Sequence, residues 1–247
     1  MASTLRKVLP SLISSDQTAY VFGRFIGESS RLISDIIEVT RNINIGGYLV
    51  TMDIKKAFDS VNHDFLMLVL KNANFVPSFL KWIKVLISNQ QSSVFNAGSS
   101  TGYFDLSRGC RQGDPISAYL FILVIEFFFQ MVRKNGSIKG LNILGFEFKL
   151  TSFADDSSFF LADQPSVNLL LETFSIFSKF SGLMLNESKC EIAPLGALRG
   201  SQVSIGTLKY VDLCTDSIKI LGIHFSYDKN IANTKNYDAV VEKSPNV

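Results

Sequence analysis

The sequence predicts an α+β fold: an antiparallel-rich sheet with helices packed on one face. Three features carry that reading. Short β-like runs follow one another as neighbours across tight turns, instead of alternating singly with helices. Long amphipathic or wholly apolar helical stretches stand between them. The Gly-rich phosphate loop and regular strand–helix alternation of a doubly wound sheet are missing. Of 247 residues 47% are apolar and the mean hydropathy is +0.22, enough for a sizeable core.

In order along the chain, "ESSRLISDIIEVTRNI" places Leu32, Ile33, Ile36, Ile37 and Ile43 near helical spacing, and Gly46-Gly47 ends that helix. "YLVTMD" reads as a buried strand finishing at Asp53. "SVNHDFLMLVLKNANF" returns to helix, with Ser60 or Asn62 as N-cap. "SSVFNAGSSTGYFDLS" alternates as a hairpin about a Gly-Ser-Ser-Thr-Gly centre. "SAYLFILVIEFFFQMV" is a helix apolar all round. It is shorter than the roughly 20 residues of a bilayer span, and Glu126 interrupts it, so burial in a core is expected and no membrane partner. "FEFKLTSFA" and "SSFFLA" are β runs flanking Asp155 and Asp156. "SVNLLLETFSIFSKF" is a helix opened by Ser166. "LMLN", "KCEIAPL" and "SIKILGIHFSY" have strand character, and beyond Asp228 the polar chain is expected to fray.

Charge and cysteine usage exclude little but exclude it clearly. A net charge of +2 permits a nucleic-acid partner only through a local basic groove. Cys110, Cys190 and Cys214 are widely spaced, which argues against structural zinc and a disulfide framework and for reduced thiols in an intracellular protein, in nucleus or cytoplasm. The N-terminus lacks the continuous apolar stretch of a signal peptide, so secretion is not expected.

Asp155 and Asp156 are the chemical question. Adjacent like charges between Phe153 and Phe159 need compensation, and no basic residue lies between Lys149 and Lys179. In a regular strand the two would point to opposite faces; at a hairpin tip both can approach one cation. The plain reading is an Asp-Asp turn capping its own backbone. The chemical reading is a hard divalent cation such as Mg²⁺, which takes carboxylate oxygens together with substrate phosphates. Asp53, at the end of a separate apolar strand, strengthens the second. Carboxylates from two neighbouring strands can hold a metal pair about 3.5–4 Å apart for in-line phosphoryl displacement.

"MDIKKAFDSVNHDFL", "RGCRQGDPISAYLF" and "FADD", in this order and spacing, resemble motifs A, B and C of a reverse transcriptase, most closely of the non-LTR (LINE-type) retrotransposon kind. "SDQTAYVFGRFIGESSRLI" resembles the N-terminal fingers block, "SKFSGLMLNESKC" motif D and "ILGIHF" motif E. The likeness runs from about Leu5 to Phe225 and implies right-hand polymerase fingers and palm, interleaved over residues 1–225, with residues 226–247 a polar tail. It further implies RNA-directed DNA polymerase activity with an RNA template, a DNA primer, dNTPs and two Mg²⁺ ions.

The resemblance also implies roles. Asp53 and Asp155 would be principal metal ligands, with Asp156 the supporting carboxylate. The backbone amides of Ile54, Lys55, Lys56 and Ala57 would cradle the triphosphate. Phe58 stands where the family has its steric gate against a ribose 2′-hydroxyl; by itself it reads as a core ring. Gln112 would line the nascent base-pair pocket, and Gly113 would let backbone approach a ligand closely. Arg24 is either a cation for the triphosphate or a solvated surface group. Lys189 would protonate the departing pyrophosphate. Leu221 and Gly222 would position the primer terminus. Gln17 has no role derivable from sequence. His63 and His224 read as structural.

Family members of this kind usually carry an endonuclease domain before the fingers and a helical thumb after motif E. Neither is legible here, so the thumb is expected to be largely absent. The alternative function is a catalytically inactive retroelement remnant that folds or binds RNA only.

Overall fold

The structure is a computed structural model and describes residues 1–241. Helices α1 (Ala2–Leu12) and α2 (Ile26–Asn42) lead into strand β1 (Gly47–Met52). A four-residue turn of helix, α3 (Ala57–Ser60), then precedes α4 (His63–Asn72), α5 (Pro77–Ile87) and the long α6 (Ser117–Lys134). Strands β2 (Leu150–Phe153) and β3 (Asp156–Leu161) form the hairpin that carries the aspartate pair. Helix α7 (Gln164–Ser181), strands β4 (Glu191–Leu195) and β5 (Lys209–Tyr210), and α8 (Lys229–Val241) complete the order.

The central sheet runs β5-β4-β1-β3-β2, antiparallel throughout except for the parallel β4–β5 pair. β1 lies in the middle because its run Tyr48-Leu49-Val50-Thr51-Met52 is apolar on both sides of the pleat. Tyr48, Val50 and Met52 join Phe159 and Leu161 of β3 in one core, with Leu5 and Leu9 of α1, Leu66 and Leu70 of α4, Phe121 of α6 and Leu170 of α7. Leu49 and Phe160 face the other way, onto Ile33, Ile36 and Ile37 of α2. The helix layer expected from sequence covers the first face; α2 and the hairpins at Leu141–Phe148 and Ile218–Phe225 close the second. Phe128 on α6 packs against Phe129, Phe159, Phe174 and Phe177 with centroids 5.1–6.0 Å apart. Each such pair adds about 0.5–1.5 kcal/mol beyond its burial.

Local signals held at several places and moved at others. Asn62 is the N-cap of α4, its side chain accepting from Phe65 N at 2.9 Å. α7 is capped by Asp163, not Ser166: Asp163 Oδ1 accepts from Ser166 N at 2.8 Å, and Pro165 fits the first turn. The 90–106 hairpin turns at Ala97-Gly98, both with positive φ, so its centre lies at the first glycine of the expected Gly-Ser-Ser-Thr-Gly run, not in its middle. Glu126 is buried on α6 and meets Arg133 of the same helix, which also donates to Asp16 at 2.8 Å. Its other oxygen, Oε2, has no partner. Burial first, opposed by Arg133, raises its pKa. No helix among the described residues is long and apolar enough to cross a membrane.

The C-terminal segment departs from expectation. Where the sequence predicts a frayed tail, α8 forms over Lys229–Val241; residues 242–247 lie outside the described residues. Polar contacts hold the helix. Asp228 Oδ1 accepts from Asn230 N, and Asn236 accepts from His224 N at 2.8 Å and donates to His224 O at 3.0 Å. Lys235 pairs with Asp216. Hydrophobic periodicity, the usual helix signal, is weak here, which is why the pattern reads as coil.

Candidate active site

β1 and β3 run antiparallel with Met52 opposite Ser157, so Asp53 leaves its strand beside the point where Asp156 enters the next. The carboxylates therefore share one edge of the sheet. Between β2 and β3 the chain reverses over Ala154 and Asp155, with Ala154 at φ +58°. The turn of the plain reading is present, and the Asp155 carboxylate lies near its own backbone amide. Burial first, then the charge of Asp53, raises the Asp155 pKa against that amide and Lys189. Partial withdrawal from water, then Asp155 and Asp53, raise Asp156 as well, and Lys189 again opposes. The three acids are close enough to repel one another.

The compensating cation comes from far along the chain. Lys189 Nζ lies 3.7 Å from Asp53 Oδ1. It is placed by the turn after Met184–Leu185, where Asn186 N donates to Asp53 O at 2.8 Å and Lys189 N donates to Asn186 O at 2.8 Å. Asp53, Asp156, Lys189 and Leu221 line one recess of about 380 Å³, with Lys209 and Lys219 at its wall. Leu221 and Gly222 form the two-residue turn of the Ile218–Phe225 hairpin at φ +52° and +80°. A leucine in that region is strained, and such strain concentrates at working surfaces.

Motif A continues into a second cluster. Gly109 N donates to Val61 O at 2.8 Å and Cys110 N to Phe58 O at 2.7 Å, locking the loop before α6 onto α3. Gly109 has φ +92°, and a Cβ there would lie 2.8 Å from Asp59 O, so only glycine fits. Phe58 is half-buried and stacks on Phe121 at 4.7 Å. Core packing and an exposed ring edge thus coexist in one side chain. Gln112 is exposed and donates to Asp59 Oδ1 at 3.4 Å; Gly113, at φ +87°, has open space where a Cβ would be. His63 Nε2 sits 2.8 Å from Gly109 O, a structural contact.

Two of the expected nucleotide-binding groups make structural contacts here. Ile54 and Lys55 pair with Met184–Leu185 in a short antiparallel ladder, which can take up only one of these two amides, since neighbours along such a strand point their N–H groups to opposite sides. Lys56, at φ +45°, then turns the chain into α3 at Ala57. Arg24 donates to Ser14 O, to Gln17 O at 2.7 Å and to Ile13 O at 3.1 Å. Its planar fork clamps the end of α1 through neutral carbonyls, so it is not the freely solvated group of the plain reading, and its charge has no carboxylate partner among the described residues.

Gln17 is the residue that sequence reasoning missed. It is fully buried and its amide closes on the tip of the aspartate hairpin: Oε1 accepts from Ala154 N at 2.9 Å and Nε2 donates to Ala154 O at 3.1 Å. Oε1 also accepts from Ala19 N at 2.9 Å. A side-chain amide can satisfy both groups of one backbone residue only in such a bidentate arrangement. Gln17 thereby fixes the turn that presents Asp155. No local pattern in "SSDQTAY" announces this, because the partner lies 137 residues away.

The chain's residues 1–225 match the family described as reverse transcriptase (RNA-dependent DNA polymerase). It belongs to that family. As a reverse transcriptase domain it is 29% identical over 228 residues to the transposon TX1 uncharacterized 149 kDa protein of Xenopus laevis, covering 91% of this chain and 17% of that one. It is 28% identical over 188 residues to the Pol polyprotein from the type-2 retrotransposable element R2DM of Drosophila melanogaster, covering 72% of this chain and 18% of that one. The chain thus spans about a fifth of the curated relatives it matches. Its fold is similar to telomerase of Candida tropicalis, solved with a fragment of telomeric RNA. The TM-score is 0.63 at 13% identity, over 90% of this chain and 35% of that one. The reverse transcriptase family generally uses divalent metal ions. The site's donors here are carboxylate oxygens whose mutual repulsion a hard cation would relieve, which fits. As they stand, no three Asp, Glu, His or Cys side chains among the described residues are grouped so as to hold one metal ion, so the acids would have to draw together around it.

Proposed function

We propose that this chain is the interleaved fingers and palm of an RNA-directed DNA polymerase, working inside the cell in nucleus or cytoplasm. It would join deoxynucleoside triphosphates to a primer 3′-hydroxyl on an RNA template. The observation that carries the proposal is the Met52–Ser157 register, which brings Asp53 and the Asp155-Asp156 turn to one edge of the sheet. Those carboxylates would hold two Mg²⁺ ions, which lower the pKa of the primer hydroxyl and offset charge on the phosphate under attack.

The chain's own groups supply the rest. Lys189 leaves Asp53 as a nucleotide arrives and gives its proton to the departing pyrophosphate oxygen. The Phe58 ring, backed by Phe121, would crowd a 2′-hydroxyl. The first amides of the turn at Lys56–Ala57, with the Gln112-Gly113 loop beside them, receive the triphosphate and base. Leu221 in the recess wall, with Gly222 next to it in the turn, supports the primer end.

Primer extension on poly(A)/oligo(dT) with Mg²⁺ tests this, with Asp155→Ala as control. Product from the intact chain only is expected; equal product from both overturns activity. One observation favours a second reading, a remnant that binds RNA without catalysis: Lys189 stands on Asp53, and the acids among the described residues are not grouped to hold a metal ion. RNA binding without extension would support it.

A further inference from the structure

We infer a second nucleic-acid contact: an anion-binding recess at the opposite end of the central strand from Asp53, which holds phosphates of a strand that extends beyond the active cleft. The recess, of about 640 Å³, is lined by Arg41, Arg199, Cys214, Tyr227, Asp228 and Lys229, with Asn230 beside them. Arg41 comes from the last turn of α2, just before β1 begins at Gly47, whereas Asp53 follows the strand's far end. Six residues of strand separate the two ends, roughly 20 Å at the usual rise.

Its charge is what requires a ligand. Arg41, Arg199 and Lys229 form no ion pair among the described residues. Asp228 is the one carboxylate lining the recess; it caps α8, accepting from Asn230 N at 2.8 Å, and keeps its charge, so the lining carries three cations against one anion. Asp212 stands behind Cys214, accepting from its backbone N at 2.9 Å. Arg41 is fixed in place: Nη1 donates to Tyr227 O at 3.1 Å and the guanidinium lies 5.9 Å from the Tyr227 ring centroid. Arg199 makes one long bond, 3.4 Å, to Gly196 O in the adjoining turn. Three cations around an open recess, one pre-positioned and two nearly free, match the oxygens of a phosphodiester better than a single carboxylate. The overall charge of only +2 makes such a local concentration the more telling.

The identity of the anion as a nucleic-acid strand rests on the polymerase reading; the anion site itself does not. Cys214 provides a reporter independent of catalysis, since it is the exposed thiol while Cys110 and Cys190 are buried. The experiment measures the rate of Cys214 alkylation by uncharged N-ethylmaleimide on the full chain, with and without a single-stranded RNA oligonucleotide. Oligonucleotide binding is followed in parallel by fluorescence polarisation. Protection of several-fold is expected, reversed by salt and lost in the Arg199→Ser/Lys229→Ser double variant, which leaves the Arg41–Tyr227 contact intact. That variant should also lower the slope of log affinity against log salt by about 1 per residue. In Asp155→Ala the protection should persist, so a failed polymerase assay and a failed anion site give different results. Unchanged alkylation at saturating oligonucleotide overturns the site. Equal protection by inorganic phosphate at matched phosphate concentration overturns the strand as its ligand.

Discussion

Lys189 Nζ stands 3.7 Å from Asp53 Oδ1, an ion pair between two residues 136 positions apart that meets at the mouth of the recess. The lysine does for Asp53 what a divalent cation would do, so metal and lysine compete for the same oxygen. Lys189→Met should therefore tighten divalent-ion binding while slowing single-turnover extension by roughly 10²–10⁴-fold, since the proton donor is gone. Titration calorimetry and rapid-quench kinetics read the two effects separately. Loss of both together would contradict the assignment.

The raised carboxyls of Asp155 and Asp156 make a pH prediction whose sign is set by linkage. Both bind a proton more tightly folded than unfolded. The stability they contribute is complete below the ordinary aspartate value of about 3.9 and is lost as pH rises through the raised folded values. Asp156→Asn should thus melt at the same temperature as the parent near pH 4, and above it at neutral pH. Added Mg²⁺ should close the neutral gap by stabilising only the parent. Melting curves between pH 4 and 8 check this; a gap constant across that range would refute it.

Gln17→Leu strands the N–H groups of Ala154 and Ala19 inside the protein, while Ala154 O keeps only the Ser152 hydroxyl. Each unsatisfied group costs about 1–3 kcal/mol, and the turn that presents Asp155 loosens. Divalent-ion affinity should fall in protein that still unfolds cooperatively, whereas a purely structural role would lower the melting temperature and leave metal affinity unchanged.

At Gly109 an alanine would bring Cβ within 2.8 Å of Asp59 O at a φ of +92°. The substitution should destabilise by more than about 1 kcal/mol and impair extension, because this contact locks the loop before α6 onto the turn carrying Phe58. Denaturant unfolding measures the first effect.

Phe58→Ala should cost roughly 2 kcal/mol, below the 3–5 of a fully buried phenylalanine, because the ring is half-buried against Phe121. It should also admit ribonucleotides. Unchanged discrimination between dNTP and NTP in the extension assay would remove the gate from Phe58.

Much of this was legible in the sequence where the signal is local. The apolar run Tyr48–Met52, the all-apolar α6 and the Asn62 cap each follow from residues within one or two turns. The meeting of Asp53 with the Asp155 turn was legible only through motif order, since strand neighbours are set by long-range pairing. The contacts of Gln17 and Arg24 and the cap of α7 were misread or missed for one reason. A polar side chain's partner is decided by the fold: Gln17 finds Ala154 and Arg24 finds carbonyls of Ile13, Ser14 and Gln17. α8 escaped because Asn236 and Lys235 hold it without an apolar stripe.

Binding of Mn²⁺, followed by its electron paramagnetic resonance signal in the parent, Asp53→Asn and Asp155→Asn proteins, asks whether acids from two strands grip one metal site. Saturable binding in the parent, weakened at least tenfold by either single substitution, is the predicted result. Equal binding in all three proteins would show that these carboxylates do not form a common site.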